Sequence, residues 1–475
     1  MQNIQNIIIC LVLVSFSLLL SHKEYKKNNK KINVISIFSI GFILPFAISF
    51  LKLSKLSTEY DTKTIILVVG SFLSFYYGVR VSEKWDIGRV FFGNIKDKNS
   101  NMLDDKKYNA KKVNSRRKKN ISNKSKKVIN DYLLDVYNLF LENFNAKNVI
   151  LGIFVVSFVS FIIEVAVLKF IPLFSFGTPH AYSTFHIFGI HYITTLYFLM
   201  PGLAILNLSD RAHTVRPRVL LIFSVVYAVV MSLMLVSRAL LIMTVVMAGL
   251  AYIMRAHSRL CDFVELTPMI KKGASLNNLW GKKYIVPVVI LICFIGLYIS
   301  ITVLRSHSVS YLNDIFEMKE NTPIFITQPY MYLTQGFENL NYLVTHNERF
   351  TFGRRTLAPL FSLLRTKKYF PLVTEAPFYQ IKLELTSKPI IYDLYYDFSM
   401  IGTFIIMFII GYIVKKIEIK NYKEDNIYYN LFFCLICYYL LFSFFQSYLS
   451  LLDTWFYLIF TYLLYIMSKL KKAKK

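Results

Sequence analysis

The chain has 475 residues, of which 55% are hydrophobic, 16% aromatic and only 17% charged. A net charge of +27 would suit a nucleic-acid partner in a soluble protein, but membrane proteins collect Lys and Arg in cytoplasmic loops because positive segments resist translocation. Several apolar runs reach about 18–20 residues, enough to cross a hydrocarbon core of about 30 Å, so a soluble domain and a nucleic-acid-binding surface are set aside.

In chain order, the first apolar run, 4–21, lacks both a basic start and a small-residue cleavage site. It is predicted to be a retained helix and not a signal peptide. Further candidate spans follow at 33–51, 64–82, 149–172, 190–208, 219–236, 239–256, 284–304, 394–414, 427–446 and 450–468, about eleven in all. The expected fold is an all-α, multi-pass transmembrane bundle forming a single integral membrane domain over 1–475. The run from Val219 to Met254 contains one charge, Arg238. As one helix it would be about 54 Å long at 1.5 Å per residue, so it is predicted to fold back at Ser237–Arg238.

The loops between these spans alternate sides. One set holds 22–31, the basic loop 83–147 with KKYNAKKVNSRRKKNISNKSKK at 106–127, 209–218, 255–283, 415–425 and the terminal KLKKAKK. Every strongly basic short loop falls in this set, which is therefore expected in the cytoplasm, with the N-terminus outside and the C-terminus cytoplasmic. The tract at 106–127 reads either as a topology-fixing loop or as a segment lying against anionic headgroups. The other set holds 52–63, 174–189, Ser237–Arg238, the long loop 305–393 and a tip near 446–450. Long ordered loops carry function. The 305–393 loop is expected to bear the active site on short helices packed across the outer mouth.

Arg238, Arg305, Arg349, Arg354, Arg355 and Arg365 all belong to that outer face, where the topology rule gives no reason for arginine. The guanidinium fork matches phosphate oxygens bidentately and stays charged. In FTFGRRTLAPLF (350–361) a glycine precedes paired arginines between apolar flanks. Arg354, Arg355 and Arg238 together suit a clamp for a lipid-linked diphosphate; an interfacial pair meeting lipid phosphate is the plainer reading. For Arg305 and Arg238 the plainer reading is snorkelling at a helix end.

Among the outer carboxylates Glu338, Glu348, Glu375, Glu384 and Asp393, Glu338 in GFENL is the first choice for a general base. Glu164 lies inside a span, where an ionisable group is a functional suspect. His180, His186 and His191 are spaced by six and five, which matches no common metal-ligand pattern; one of them suits a proton acceptor. Cys10, Cys261, Cys293, Cys434 and Cys437 offer no disulfide framework, and CLIC (434–437) reads as packing. There is no Gly-rich phosphate loop, zincin motif or paired-acid sugar-nucleotide signature. No metal and no cofactor are expected.

KFIPLFSFG (169–177), SRALL (237–241), GFENLNYL (336–343), FGRRTLAPL (352–360) and YYDFSMIGTFIIMFIIG (395–411) carry a resemblance. From about Val149 to the last helix the chain resembles the Wzy-type oligosaccharide repeat unit polymerases, or O-antigen polymerases. Asp397-Phe398-Ser399 stands where members often have Asp-Phe-Gly, and LTSKPIIYD (385–393) matches a common Asn-x-x-Thr-like element only loosely. The resemblance implies a metal-independent, inverting glycosyltransferase of the bacterial cytoplasmic membrane. Its substrates would be undecaprenyl-diphosphate-linked oligosaccharides on the outer face, its partners a flippase and a chain-length regulator. Arg238, Arg354 and Arg355, with Arg305 nearby, would hold the diphosphate and stabilise it as it leaves, while Glu338 or another outer carboxylate or histidine would take the acceptor's proton. A lipid-linked oligosaccharide flippase and an O-antigen-ligase-like transferase are the competing readings.

Overall fold

In lipid every backbone N–H and C=O must find a partner within its own segment, so apolar runs close into helices. Every named element of the computed structural model is helical, among the residues it describes: 2–27, 32–84, 144–175, 181–208, 217–265, 314–319, 324–347, 349–369, 377–424 and 426–474. The main helices are α1 Gln2–Lys27, α2 Val34–Ser49, α3 Thr62–Lys84, α4 Ala146–Leu168, α5 Ile190–Asn207 and α6 Pro217–Met234. They continue with α7 Arg238–Glu265, α8 Ile324–His346, α9 Ala358–Leu363, α10 Ile390–Lys423, α11 Ile427–Leu441 and α12 Leu452–Lys474.

Among the described residues six helices, α1, α3, α4, α5, α7 and α10, are long and apolar enough to cross a membrane, and α2, α6 and α11 are shorter apolar helices. Each sequence-predicted span coincides with a helix except 284–304, which lies outside the described residues. The helices also turn apolar side chains outward. On α10, Ile401, Ile405, Ile409 and Ile413 are 72%, 56%, 47% and 50% exposed. Their spacing of four makes one stripe, a face suited to lipid and not to water.

The fold-back at Ser237–Arg238 is present. α6 ends at Met234, Val236 takes a left-handed φ of 49°, and the Ser237 hydroxyl accepts from Leu240 N (3.3 Å) to cap α7. The hydrogen-bonded cap and one strained β-branched residue do locally what a continuous helix would prevent.

α3 and α10 pack backbone to backbone. A Cβ at Gly78 would run into the Phe408 carbonyl, and one at Gly411 into the Phe75 carbonyl; small residues at helix crossings permit this approach in a membrane. At the end of the bundle where α1, α3 and α10 finish, charges interlock. Arg80 pairs with Glu24 and with Glu83 (2.9 Å), Lys27 and Lys415 each reach Glu83 at 3.2 Å, and Lys415 meets Glu418 at 2.8 Å. Glu418 also accepts from Val34 N (3.1 Å) at the start of α2.

The opposite end carries the residues of the long loop, and one expectation about it is corrected. In place of short helices alone, its described part is dominated by α8, a helix of 23 residues sunk into the bundle. Phe337, Leu340 and Leu343 are fully buried, and the Phe337 ring lies 5.7 Å from Phe42 and 5.1 Å from Phe46 of α2. Glu338, Asn339 and Asn341, letters that suggest a surface piece, meet polar partners on neighbouring segments and are buried there.

α10 is kinked at Ser399, whose φ of 60° and ψ of −169° interrupt the helix. That region is populated essentially by glycine and costs other residues about 1–3 kcal/mol. Ser399→Gly is expected to stabilise the protein by about 1 kcal/mol, read as a rise in Tm in detergent; an unchanged or lower Tm contradicts a strained serine.

Candidate functional site

The site is built where residues 349–357 fold over the start of α10. Thr351 N donates to Tyr396 O (3.1 Å) and Phe352 N to Asp397 O (3.0 Å). Phe352 (φ 48°) and Gly353 (φ 85°) then reverse the chain; glycine alone takes the second position without strain, and the Phe398 ring stands 3.1 Å from where a Cβ would sit. This reversal presents Arg354 and Arg355.

Asp397 fastens the turn. Fully buried, its Oδ1 accepts from the Thr351 hydroxyl and from Arg355 N (3.0 Å), and its Oδ2 from Thr356 N (2.7 Å). One helical turn earlier, buried Asp393 collects cations. Lys388 Nζ lies at 2.6 Å, Arg355 Nη1 at 3.4 Å, and the Ser450 hydroxyl donates at 2.6 Å. The Arg355 guanidinium also donates to Pro377 O (3.2 Å) and lies 4.2 Å from the Tyr396 ring centre. Lys388, Arg354 and Arg355 outnumber the buried carboxylates Asp393 and Asp397 by one formal charge, the character needed to meet an anion.

Arg238 joins this surface from α7. It is 8% exposed, its Nη2 donates to the Tyr332 hydroxyl of α8 (3.0 Å), and it lies over the same ring at 5.7 Å. The Tyr332 ring is 5.8 Å from Phe445, whose carbonyl takes Lys388 N (3.1 Å). A continuous path thus runs Arg238, Tyr332, Phe445, Lys388, Asp393, Arg355. The hairpin tip expected at Arg238 is present, and α8 packs over it through Tyr332. Arg305 lies outside the described residues. Arg349 is exposed, and Arg365, at φ 55°, lies beyond the turn.

Glu338 is held elsewhere on α8. Its side chain is 1% exposed, paired with Lys52 Nζ at 3.2 Å, and accepts from Thr58 N (3.2 Å), the Thr58 hydroxyl (3.4 Å) and the Tyr60 hydroxyl (3.0 Å). Lys52 also donates to Thr58 O and sits 3.6 Å from the Tyr60 ring centre. Burial pushes the Glu338 carboxyl above its usual range against the pull of Lys52, and burial likewise holds Lys52 below its own. With both oxygens engaged, Glu338 fixes α8 to the 50–61 segment and presents no free lone pair to a substrate. Next to it, Asn339 donates to Leu385 O (2.7 Å) and Ser387 O (2.8 Å) and accepts from Ile381 N (3.0 Å). The two adjacent letters of GFENL therefore staple opposite sides of α8.

Sequence reasoning singled out Arg238, Arg354 and Arg355 and passed over Lys388, Tyr332 and Ser450. The available signal for Lys388 was a second cation five residues before Asp393, at the mouth of a helix. Cys434 and Cys437 are fully buried and free, as the packing reading expected. Among the described residues no group of His, Cys, Asp and Glu could hold a metal. Compared with known proteins, the chain matches no family model, no curated protein and no solved structure.

Proposed function

We propose that this chain is a membrane polysaccharide polymerase joining undecaprenyl-diphosphate-linked oligosaccharide repeat units on the outer face of the bacterial cytoplasmic membrane. The observation that carries the reading is the turn 351–356. It is fastened by Asp397 and set beside Lys388 and Asp393, so that arginines are concentrated and preorganised at one end of an apolar bundle. The reading takes the bundle as about eleven spans, the 305–393 segment as extracytoplasmic, the N-terminus as outside and the C-terminus as cytoplasmic. It takes the interlocked charges joining α1, α3 and α10 as the inner end.

Glycosyl transfer from a lipid diphosphate carries its driving force in the leaving group, so the protein's main tasks are positioning and charge stabilisation. An acceptor hydroxyl attacks the anomeric carbon, the bond from that carbon to the diphosphate breaks with inversion, and Arg354, Arg355 and Arg238 meet the charge on the departing diphosphate. No metal enters this scheme.

The test is gel analysis of surface glycan from a deletion strain complemented with wild type, Arg238→Ala or Arg354→Ala. Each variant is expected to lose polymer by about 100-fold or more, while single repeat units accumulate. Normal-length polymer from both variants overturns the clamp. In the uncomplemented strain, long lipid-linked polymer that is never attached points to a ligase, and repeat units trapped inside point to a flippase.

A further inference from the structure

A second polar constellation lies at the same end, outside the arginine turn. Glu164 sits near the end of α4 and is fully buried. Its Oε1 meets His191 Nδ1 at 3.0 Å and accepts from Ile187 N at 3.3 Å, while its Oε2 is buried without a hydrogen-bond partner. A glutamate serving packing alone would be bonded through both oxygens, to a permanent cation or backbone donors. Here the partner is a histidine, which changes charge near neutral pH, and it remains 21% exposed at the head of α5.

A carboxylate on Nδ1 selects the tautomer with the proton on that nitrogen and leaves Nε2 with its lone pair. The groups around His191 are Glu164 from α4, His186 at 5.0 Å ring to ring from the preceding turn, the adjacent Tyr192, and Asp453 from α12, whose charge interacts with His191. Burial, and then His191, hold the His186 imidazole below the usual histidine range. α5 and α12 are joined by Thr195 and Tyr457 hydroxyls 2.5 Å apart and by Tyr192 and Phe456 rings at 5.8 Å. Asp453 opens α12 three residues after Ser450, the donor to Asp393. Asp393, the partner of Arg355, and His191 are thus each linked to the short segment 450–453, the first by a hydrogen bond from Ser450 and the second by its charge interaction with Asp453.

We propose that His191, oriented by Glu164, is the proton acceptor for the sugar hydroxyl nucleophile. This rests on the polymerase reading. As the hydroxyl oxygen bonds to the anomeric carbon, its proton passes to His191 Nε2, the carbon–diphosphate bond breaks, and the electron pair leaves with the lipid diphosphate. Glu164 is a positioning residue that stabilises the imidazolium, and solvent reclaims the proton through the exposed edge of the ring.

The test uses full-length protein in liposomes with lipid-linked repeat units extracted from the deletion strain, following polymer formation against pH. Wild type is expected to lose rate on the acid side, because an imidazole that accepts the proton must first be unprotonated. Glu164→Gln keeps a hydrogen bond to Nδ1 but removes the charge favouring imidazolium, so the acid limb moves to lower pH and the rate at neutral pH drops about 10-fold. His191→Gln is expected to lose about 100-fold or more with Tm unchanged. A wild-type profile without an acid limb, an acid limb unmoved by Glu164→Gln, or a folded His191→Gln at the wild-type rate overturns the dyad. In each of those cases wild-type polymer leaves the polymerase reading standing, whereas wild type that forms no polymer at any pH removes the reading and the dyad with it.

Discussion

Asp397→Ala is expected to release the arginine turn and abolish polymer. The carboxylate gathers the Thr351 hydroxyl, Arg355 N and Thr356 N while fully buried. Hydrogen bonds to a charged group contribute about 1.5–3 kcal/mol each, and a buried donor left unmade costs about 1–3 kcal/mol. Losing all three thus removes at least about 4–5 kcal/mol of local stability, concentrated in a segment with little regular structure of its own. Hydrogen exchange should report this directly: amides of Arg355 and Thr356 lose protection while those in the middle of α10 keep theirs. Asp397→Asn, which retains one acceptor oxygen, should fall between wild type and alanine in both exchange and polymer yield. Wild-type protection at Arg355 in Asp397→Ala would show that the turn is held by something other than this carboxylate.

The second large effect is expected at Lys52–Glu338, whose side chains are 7% and 1% exposed. Breaking a buried pair strands the remaining charge and costs about 3–5 kcal/mol, while replacing both partners with apolar groups is often neutral. Glu338→Leu alone is therefore expected to lower folded yield and Tm sharply, and Lys52→Met with Glu338→Leu to recover most of the loss. The same double variant separates two roles for Glu338. As a staple of α8 it is replaceable, and the double variant should make polymer at a rate within a few-fold of wild type. If instead the refolded double variant makes none, the carboxylate takes part in the chemistry and the structural reading of its four donors is wrong. Both ionisations are disfavoured by burial, Glu338 displaced upward and Lys52 downward. A proton passing between the two leaves the pair neutral overall, so neither single-site titration should dominate stability near neutral pH.

Much of the helical architecture is legible in the chain because a bilayer imposes a simple length rule. Runs such as 64–82 and 149–172 need only be apolar and about 30 Å long to be recognised, and the lone Arg238 locates a fold-back between two of them. That rule does not extend to α8. Its mixture of Gln, Glu, Asn and aromatics matches neither a lipid-facing helix nor a soluble amphipathic one, because Glu338 and Asn339 are satisfied by distant segments: Lys52, Thr58 and Tyr60 on one side, 381–387 on the other. Glu338 was readable as a carboxylate of interest, but its occupation by Lys52, 286 positions away, was not.

The candidate site divides in the same way. Composition and charge placement alone determine that this is a helical membrane protein in which Arg238, Arg305, Arg349, Arg354, Arg355 and Arg365 stand outside the strongly basic loops. Only the tertiary structure decides which groups meet: Asp397 with the turn, Asp393 with both Lys388 and Arg355, Arg238 with Tyr332, and Glu164 with His191. The physical reason is that burying apolar area is non-directional and leaves a periodic, readable pattern. A buried charge tolerates only a few specific partners at hydrogen-bond distance, and nothing in the local sequence records which distant segment supplies them.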